Sequence, residues 1–142
     1  MPSANFSNLT DHLAKAAVNF SADTFKCLLV SVLPTEANLD AWVNRSDVLN
    51  EVIGTGYAAG GVAVTVTVGA LDTTNNRTPV TFTNLSPGWT TSTITAVAAI
   101  VYKNTGLGTT DKLVNMIDFG ASVSSTAGSF NVTFATPLYI NR

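Results

Sequence analysis

The alternation of residue types over residues 62–68 limits the fold of this chain more than any other feature. Valine occupies positions 62, 64, 66 and 68, and alanine or threonine lies between them. A period of two residues is that of a β-strand with one buried face, because successive side chains point to opposite sides of a strand. Near the end of the chain, Phe130, Val132 and Phe134 alternate with polar residues in the same way. Both segments therefore predict strands.

Further segments have the β-branched and aromatic composition of strands, and turn-forming sequences separate them. The other predicted strands are 24–33, 80–85, 92–104 and 112–120, and the strand that includes Phe130 extends over 129–140. The predicted turns and loops are 72–79, 86–88, 105–111 and 124–128. Residues 8–18 have helical spacing and predict one short helix near the N-terminus. Strands that follow one another without intervening helices predict an all-β antiparallel sandwich or jelly-roll-like domain.

The chain length fits a single domain. Its 142 residues suffice for one hydrophobic core and leave little room for two. We expect an N-terminal arm and short helix over residues 1–20 and the β-sandwich over residues 23–142. The N-terminus has no basic region followed by an apolar core, so we predict no signal peptide. No apolar run approaches the length of about 20 residues that a membrane-spanning helix needs, so we predict no membrane segment.

Charged residues are scarce. They make up 11% of the chain, against about 25% in typical globular domains, and the net charge is −2. Threonine, serine and asparagine supply the polarity instead. Surfaces with few charges tend to associate, and the cores of protein interfaces are depleted of charge, so we predict that part of the surface is buried against other chains. The few cations form no basic cluster, which predicts no direct binding of nucleic acid.

Catalytic constellations are not recognisable in the sequence. His12 is the one histidine and Cys27 the one cysteine, and Cys27 lies in an apolar run that predicts a buried, inert thiol. A Ser-His-Asp or Cys-His arrangement would have to use His12, which we expect at the edge of a short helix. The carboxylates are dispersed and form no metal-ligand motif. We therefore predict a protein without catalytic residues, cofactor or metal, although carboxylates that pair only in space stay open.

The segment GTGYAAGG, residues 54–61, formally matches a nucleotide-binding glycine motif at Gly54, Gly56 and Ala59. That motif has to open a helix whose N-terminus holds a phosphate, and here a strand pattern follows it. No Gly-Lys-Ser/Thr sequence is present either. We therefore predict no phosphate ligand at this segment.

The same segment predicts a bend in the backbone between the Trp42 region and the main sheet. Glycine allows positive φ and close backbone approach, so valine at Gly56 or Gly60 should damage folding or assembly. The predicted hinge residues are Gly54, Gly56, Tyr57, Gly60 and Gly61.

Several short motifs follow one another from about Ala14 to Ile140, over most of the chain. SADTFKCLLV precedes EVIGTGYAAGG, and Trp89 then stands before STITA, which continues into AAIVYKNTG. LVNMIDFG and SFNVTFATPLYI complete the series. This succession resembles a family of small virion proteins encoded by tailed bacteriophages, in which related small β-proteins serve as capsid cement or decoration subunits and are often trimeric.

The resemblance implies a non-enzymatic structural protein that binds and stabilises the outer surface of the capsid. It implies the major capsid protein and further copies of the chain, as a homotrimer, as partners. The implied location is the exterior of the virion, after synthesis in the cytoplasm of the host bacterium. We expect the terminal segments to make contacts, and removal of residues 1–8 to weaken capsid binding without unfolding. The candidate interface residues are Met1, Pro2, Phe6, Leu138, Tyr139, Ile140 and Arg142.

Two alternatives stay open at this point. A virion protein with this sequence could belong to the tail, the baseplate or the head–tail junction instead of the capsid. A carbohydrate-binding β-sandwich is the other alternative, because Trp42, Tyr57, Trp89 and Tyr102 could line a platform for sugars. An exposed arrangement of these aromatic side chains would favour sugar binding, whereas their burial would favour a role in packing.

Overall fold

The computed structural model describes residues 3–141 and consists mainly of β-strands. Its strands are β1 (Ala4–Asn5), β2 (Phe25–Val30), β3 (Val62–Val64), β4 (Val66–Val68), β5 (Arg77–Phe82), β6 (Leu85–Lys103), β7 (Lys112–Val132) and β8 (Leu138–Asn141). The helices are α1 (Leu9–Ala14), α2 (Glu36–Ala41) and a 3-10 helix (Arg45–Asp47). The predicted all-β class is confirmed.

The strands form two antiparallel sheets that pack as a sandwich. One sheet has the order β1-β7-β6-β2-β3 and the other the order β4-β5-β8. The segment 62–68 passes from the first sheet to the second, because β3 pairs with β2 and β4 pairs with β5. This crossing closes one side of the sandwich. On the other side, β8 is the edge of the second sheet, and β7 lies next to the short edge strand β1 in the first; residues 133–137 connect β7 with β8.

β6 and β7 form the longest pair in the fold, with 19 and 21 residues. β6 lies between β7 and β2, so the strand predicted at 92–104 is confirmed as central. The pairing is interrupted between two aligned pairs, Ala96 with Val123 and Ala98 with Asp118. Four residues of β7, 119–122, are thus accommodated opposite the single residue Val97. This β-bulge divides the pair into two halves with different surroundings.

Two predicted turns are wrong, because residues 86–88 lie inside β6 and residues 124–128 lie inside β7. Glycine, serine and proline are typical of turns, but here the neighbouring strand satisfies the backbone groups that a turn would otherwise satisfy. The Ser92 hydroxyl, for example, lies 2.7 Å from the Ser125 hydroxyl and donates to the carbonyl oxygen of Gly128. The predicted loop at 105–111 does separate the two strands.

Around β2, the five-stranded sheet is buried on both faces. In β2, Cys27 and Leu29 belong to the core between the sheets, whereas Leu28 and Val30 belong to a second core on the opposite face. α1 contributes Leu9 to the first core, and α2 and its C-terminal neighbour contribute Leu39 and Trp42 to the second. A strand covered on both sides has a continuous apolar sequence, which explains the run in β2.

α2 has only six residues and was not predicted as a helix. Its start is nevertheless specified locally. The Thr35 hydroxyl accepts the Asn38 N–H at 3.3 Å, and the Asn38 side chain accepts the Thr35 N–H at 2.9 Å. This reciprocal cap satisfies N–H groups that the first helical turn leaves free. α1 is shorter than the predicted 8–18 and ends at Ala14, two residues before Ala16 with φ 54°.

A buried ion pair fixes the loop between β6 and β7. Asp111 is fully buried, and its carboxylate accepts the Arg45 Nε–H at 2.7 Å and the Thr105 N–H at 2.6 Å. Burial would raise the pKa of Asp111, but these hydrogen bonds outweigh it and hold the pKa below its ordinary value. The pair therefore fastens loop 104–111 to the 3-10 helix.

The imidazole of His12 should make the stability of the fold depend on pH. His12 is buried, and desolvation together with the nearby Lys112 lowers its pKa. The unfolded chain therefore binds a proton more readily than the folded chain. We expect the free energy of unfolding to be largest above the ordinary histidine pKa of about 6.5 and to fall as the pH decreases through it. Urea denaturation on both sides of that pH measures this change.

The variant His12→Gln is the matched control, since glutamine retains polarity but does not titrate in this range. Its stability should change less than that of the native chain across the same interval. An identical pH dependence in the two proteins would contradict the assignment to His12.

Candidate assembly surface

The glycine segment 54–61 has the backbone conformations that were expected of a bend. Gly56, Gly60 and Gly61 have φ of 78°, 89° and 71°, in the region that favours glycine. Gly54 lies directly against β6, where an added Cβ would be 2.6 Å from the Thr93 carbonyl oxygen. The segment is thus pressed onto the sheet and leads the chain into β3.

Side-chain hydrogen bonds hold this segment in place. Tyr57 donates its hydroxyl hydrogen to Glu51 at 2.8 Å, and the same hydroxyl accepts the Leu29 N–H at 3.0 Å. Glu51 also accepts the Gly60 N–H at 2.5 Å, and Tyr102 donates to the Gly60 carbonyl oxygen at 2.6 Å. Burial raises the pKa of both tyrosines, that of Tyr102 to about 12. The segment is therefore a fixed connection. The Gly60 N–H already donates a hydrogen bond within the protein.

The candidate interface residues occupy very different places. Phe6 and Leu138 are 1% and 5% exposed and belong to the two cores. The prediction that they form surface contacts is therefore wrong, and both pack inside the fold. Their positions were misjudged because short terminal strands, β1 and β8, hold both segments in the sheets. Tyr139 and Ile140 are half-buried, and Arg77 covers the Tyr139 ring at 3.8 Å. Met1, Pro2 and Arg142 lie outside the described residues.

The aromatic side chains considered for sugar binding do not form an exposed platform. Trp42, Trp89 and Tyr102 are buried, with exposed fractions of 9%, 3% and 1%. Tyr57 stacks on Trp89 at a centroid distance of 5.7 Å. These residues pack the interior and are not available to stack on a ligand at the surface.

The residues that could carry chemistry are dispersed and buried. Cys27 is completely buried, and desolvation raises the pKa of its thiol to about 12, which keeps it protonated. His12 lies in a different part of the fold, on α1. Within residues 3–141, no group of three or more histidine, cysteine or acidic side chains has the geometry to hold a metal ion. The described helices include none with the length and apolarity to cross a membrane.

The structure separates charged from uncharged regions, which the sequence analysis did not detect. Residues 52–71, 78–102 and 119–141 contain no charged residue. We call the resulting region the uncharged half; it consists of β4, β5, β8 and segments 85–96 of β6 and 123–132 of β7. Its strands and their connections carry only Asp72 and Arg77, whose side chains pair at 3.5 Å. The sequence signal that could have revealed this separation is the length of the charge-free segments.

The uncharged half also has unprotected sheet edges. Beyond its two-residue pairing with β1 at Asn115 and Met116, the outer edge of β7 has no strand partner among residues 3–141. β8 and β4 are the edges of the second sheet. Proteins usually protect such edges with charges or proline, because free N–H and C=O groups otherwise recruit further strands. Charge is missing from β7 after Asp118 and from all of β4 and β8.

Two grooves open on this half. The edge groove, of about 620 Å³, lies between the outer edge of β7 and the chain leading into β8, and aromatic side chains that include Phe119, Phe130 and Phe134 line it. The hydroxyl groove, of about 670 Å³, is lined by serine and threonine side chains of β6 and β7 together with Ser31 and residues 50–53, which include Glu51 and Ile53. Ile53 is 97% exposed, more than any other large apolar side chain described.

Comparison with protein-family models, with curated proteins and with solved structures finds no match to this chain. The functional argument consequently starts from the surface itself. Most of the aromatic side chains considered above, and also His12 and Cys27, are buried. The distinctive surface feature of the described residues is therefore the uncharged half, with its open edges, two grooves and exposed apolar side chains. Such a surface suits contact with other proteins, because no charge has to be desolvated on binding.

Two glycines with similar backbone angles allow a matched test of the close packing around the glycine segment. Gly61 and Gly106 have φ of 71° and 88°. A Cβ added at Gly61 would lie 1.8 Å from the Cys27 carbonyl oxygen, whereas a Cβ added at Gly106 would have no neighbouring atom within 4 Å. We expect Gly106→Ala to cost about 1 to 2 kcal/mol from backbone strain alone. Gly61→Ala should cost at least about 3 kcal/mol, since the backbone also has to move.

The free energy of unfolding from urea titration of both variants checks this expectation. Equal losses in the two variants would show that strain at positive φ, and not the contact with β2, accounts for the glycine at position 61.

Proposed function

We propose that this chain is a non-enzymatic structural protein of a tailed-bacteriophage virion, bound to the outer surface of the capsid as a decoration or cement subunit. The observation that carries the proposal is the uncharged half with its unprotected edges. A cement subunit needs surfaces that join copies and shell, and it needs no catalytic group. The resemblance of the sequence motifs to small phage virion proteins supplies the assignment to a virion.

The surface chemistry accounts for how such a subunit would bind to its neighbours. Threonine and serine side chains favour extended structure and form lateral hydrogen bonds, as Thr95 and Ser124 do at 2.7 Å. Exposed apolar side chains add contact area that is removed from water on binding. The partners in this proposal are the major capsid protein and further copies of the chain, assembled as a homotrimer on the capsid exterior.

Ile53 and the hydroxyl groove are the proposed contact with the shell. The side chain is almost entirely exposed, and the groove beside it offers hydroxyl donors and acceptors, with Glu51 as its one charged lining residue. An apolar side chain surrounded by adaptable polar groups has the composition of an interface centre with a polar rim.

Localisation in purified phage particles by cryo-electron microscopy tests the proposed function. We expect density for the chain at repeated positions over the whole shell. Density confined to the tail, baseplate or head–tail junction would replace the capsid assignment, and particles that lack the chain altogether would overturn the virion role.

The shell contact can be tested with particles that lack the chain and with purified protein. Ile53→Asp should weaken binding by roughly tenfold or more, because a carboxylate would have to be desolvated at the contact. Leu107→Asp is the matched control, since Leu107 is also exposed but lies on the loop between β6 and β7 and does not line the hydroxyl groove. Cosedimentation with the particles measures binding; equal losses in both variants would contradict a specific contact at Ile53.

A further inference from the structure

A lysine and an asparagine lie side by side at the start of β7. Asn44 and Lys112 are directly opposed partners of an antiparallel bridge. The nearest backbone hydrogen bonds, at 3.1 and 3.0 Å, join the residues on either side of this pair and not the pair itself. In such a non-hydrogen-bonded pair the two side chains are at their closest. The Lys112 Nζ accordingly donates to Asn44 Oδ1 at 2.7 Å, and among residues 3–141 it forms no salt bridge.

The backbone around Asn44 is fixed on both sides. The Asp47 carboxylate accepts the N–H groups of Val43 and Asn44 at 3.0 and 2.9 Å. Arg45, the next residue along the chain, is held by its ion pair with the buried Asp111. The amide is therefore presented to the amine in one orientation. Fixed proximity of this kind can supply a large part of the activation free energy of a reaction between two groups.

A buried base without a partner lies in the same cluster. His12 is 4% exposed, and its imidazole forms a hydrogen bond with the backbone of Val43. Its Nε2 has no hydrogen-bond partner among residues 3–141. Burial, and then the charge of Lys112, lower the pKa of His12, so the ring is neutral at physiological pH. The free nitrogen can therefore accept a proton, and hydrogen bonding within the fold gives it no other role.

We propose that the side chains of Lys112 and Asn44 join in an isopeptide bond, which the folded chain forms by itself. A bond forms between Nζ and Cγ, and the bond between Cγ and Nδ2 breaks. The lysine ammonium gives up two protons, and Nδ2 leaves with them as ammonium, so no oxidant or further reactant is needed. His12 transfers these protons and returns to its neutral form at the end.

The bond would close a covalent ring that contains residues 44–112 and therefore β3, β4, β5 and β6 in full. A cross-link of this kind stabilises a fold chiefly by reducing the conformational entropy of the unfolded chain, and a long ring gains more than a short one. The reaction occurs once in each chain, without turnover. It is therefore compatible with the non-enzymatic role proposed above and does not depend on it.

Mass spectrometry of the purified native chain under denaturing conditions tests the bond. We expect a mass lower than that of the linear chain by one ammonia molecule. Trypsin should not cleave after Lys112, and a branched peptide should join residues 27–45 to residues 104–142. The variant Lys112→Arg keeps the positive charge but lacks the amine. It should have the mass of the linear chain, and its Tm should be lower by roughly 10 °C.

Lys103→Arg is the matched control, because Lys103 is also partly buried but contacts the Ala17 carbonyl oxygen and the Asp23 carboxylate. This variant should lose ammonia as the native chain does. His12→Gln should slow the formation of the bond by roughly 100-fold or more. The cross-linked fraction at successive times after cell-free synthesis measures that rate.

Two results would overturn the inference. One is a folded native chain with the full mass of the linear chain. The other is a loss of ammonia that persists in Lys112→Arg, because cyclisation of an asparagine elsewhere in the chain also releases ammonia. An unchanged rate in His12→Gln would overturn the role given to His12. None of these results bears on the proposed function, which is tested through the position of the chain in phage particles and through Ile53→Asp.

Discussion

The antiparallel pairing of β6 with β7 is the interaction on which the rest of the structure depends. At one end, residues 98–103 of β6 also pair with β2, and the sheet is covered by helical segments on both faces. At the other end, Trp89 and Phe130 pack with the three-stranded sheet through the shared core. The bulge at 119–122 separates these two environments. One long pair thus connects a part that contains most of the charges with a part that has almost none.

This separation leaves one half of the sandwich almost without charge. Charges on edge strands normally prevent sheets from joining, and here the strand edges of the uncharged half have none. The Asp72–Arg77 pair neutralises itself at the turn between β4 and β5. Chain-to-chain contact would satisfy the free edge groups and remove exposed apolar side chains from water. The structural role in an assembly that we propose would use a surface of this kind.

Local patterns in the sequence predicted the elements whose formation is itself local. The alternation over 62–68 appears as two strands, β3 and β4, in different sheets, and only Val64 of its four valines is buried. The long apolar segment is the central strand β6, and residues 105–111 form the loop before β7. The predicted turn at 124–128 is wrong because pairing with β6 overrides the preference of serine and glycine. α2 escaped prediction because its capping pair, Thr35 and Asn38, acts over a single turn.

By itself, the sequence determined the all-β class, the bend at the glycines and the shortage of charge, because each depends on residue types close together along the chain. Only the tertiary structure decided that Phe6 and Leu138 are buried, that the aromatic side chains of the sugar-binding alternative face the interior, and that unprotected edges meet at one groove. Those properties depend on which distant segments pair. Hydrogen bonds between strands satisfy the same backbone groups in many registers, and burial of the particular side chains on each face selects one of them.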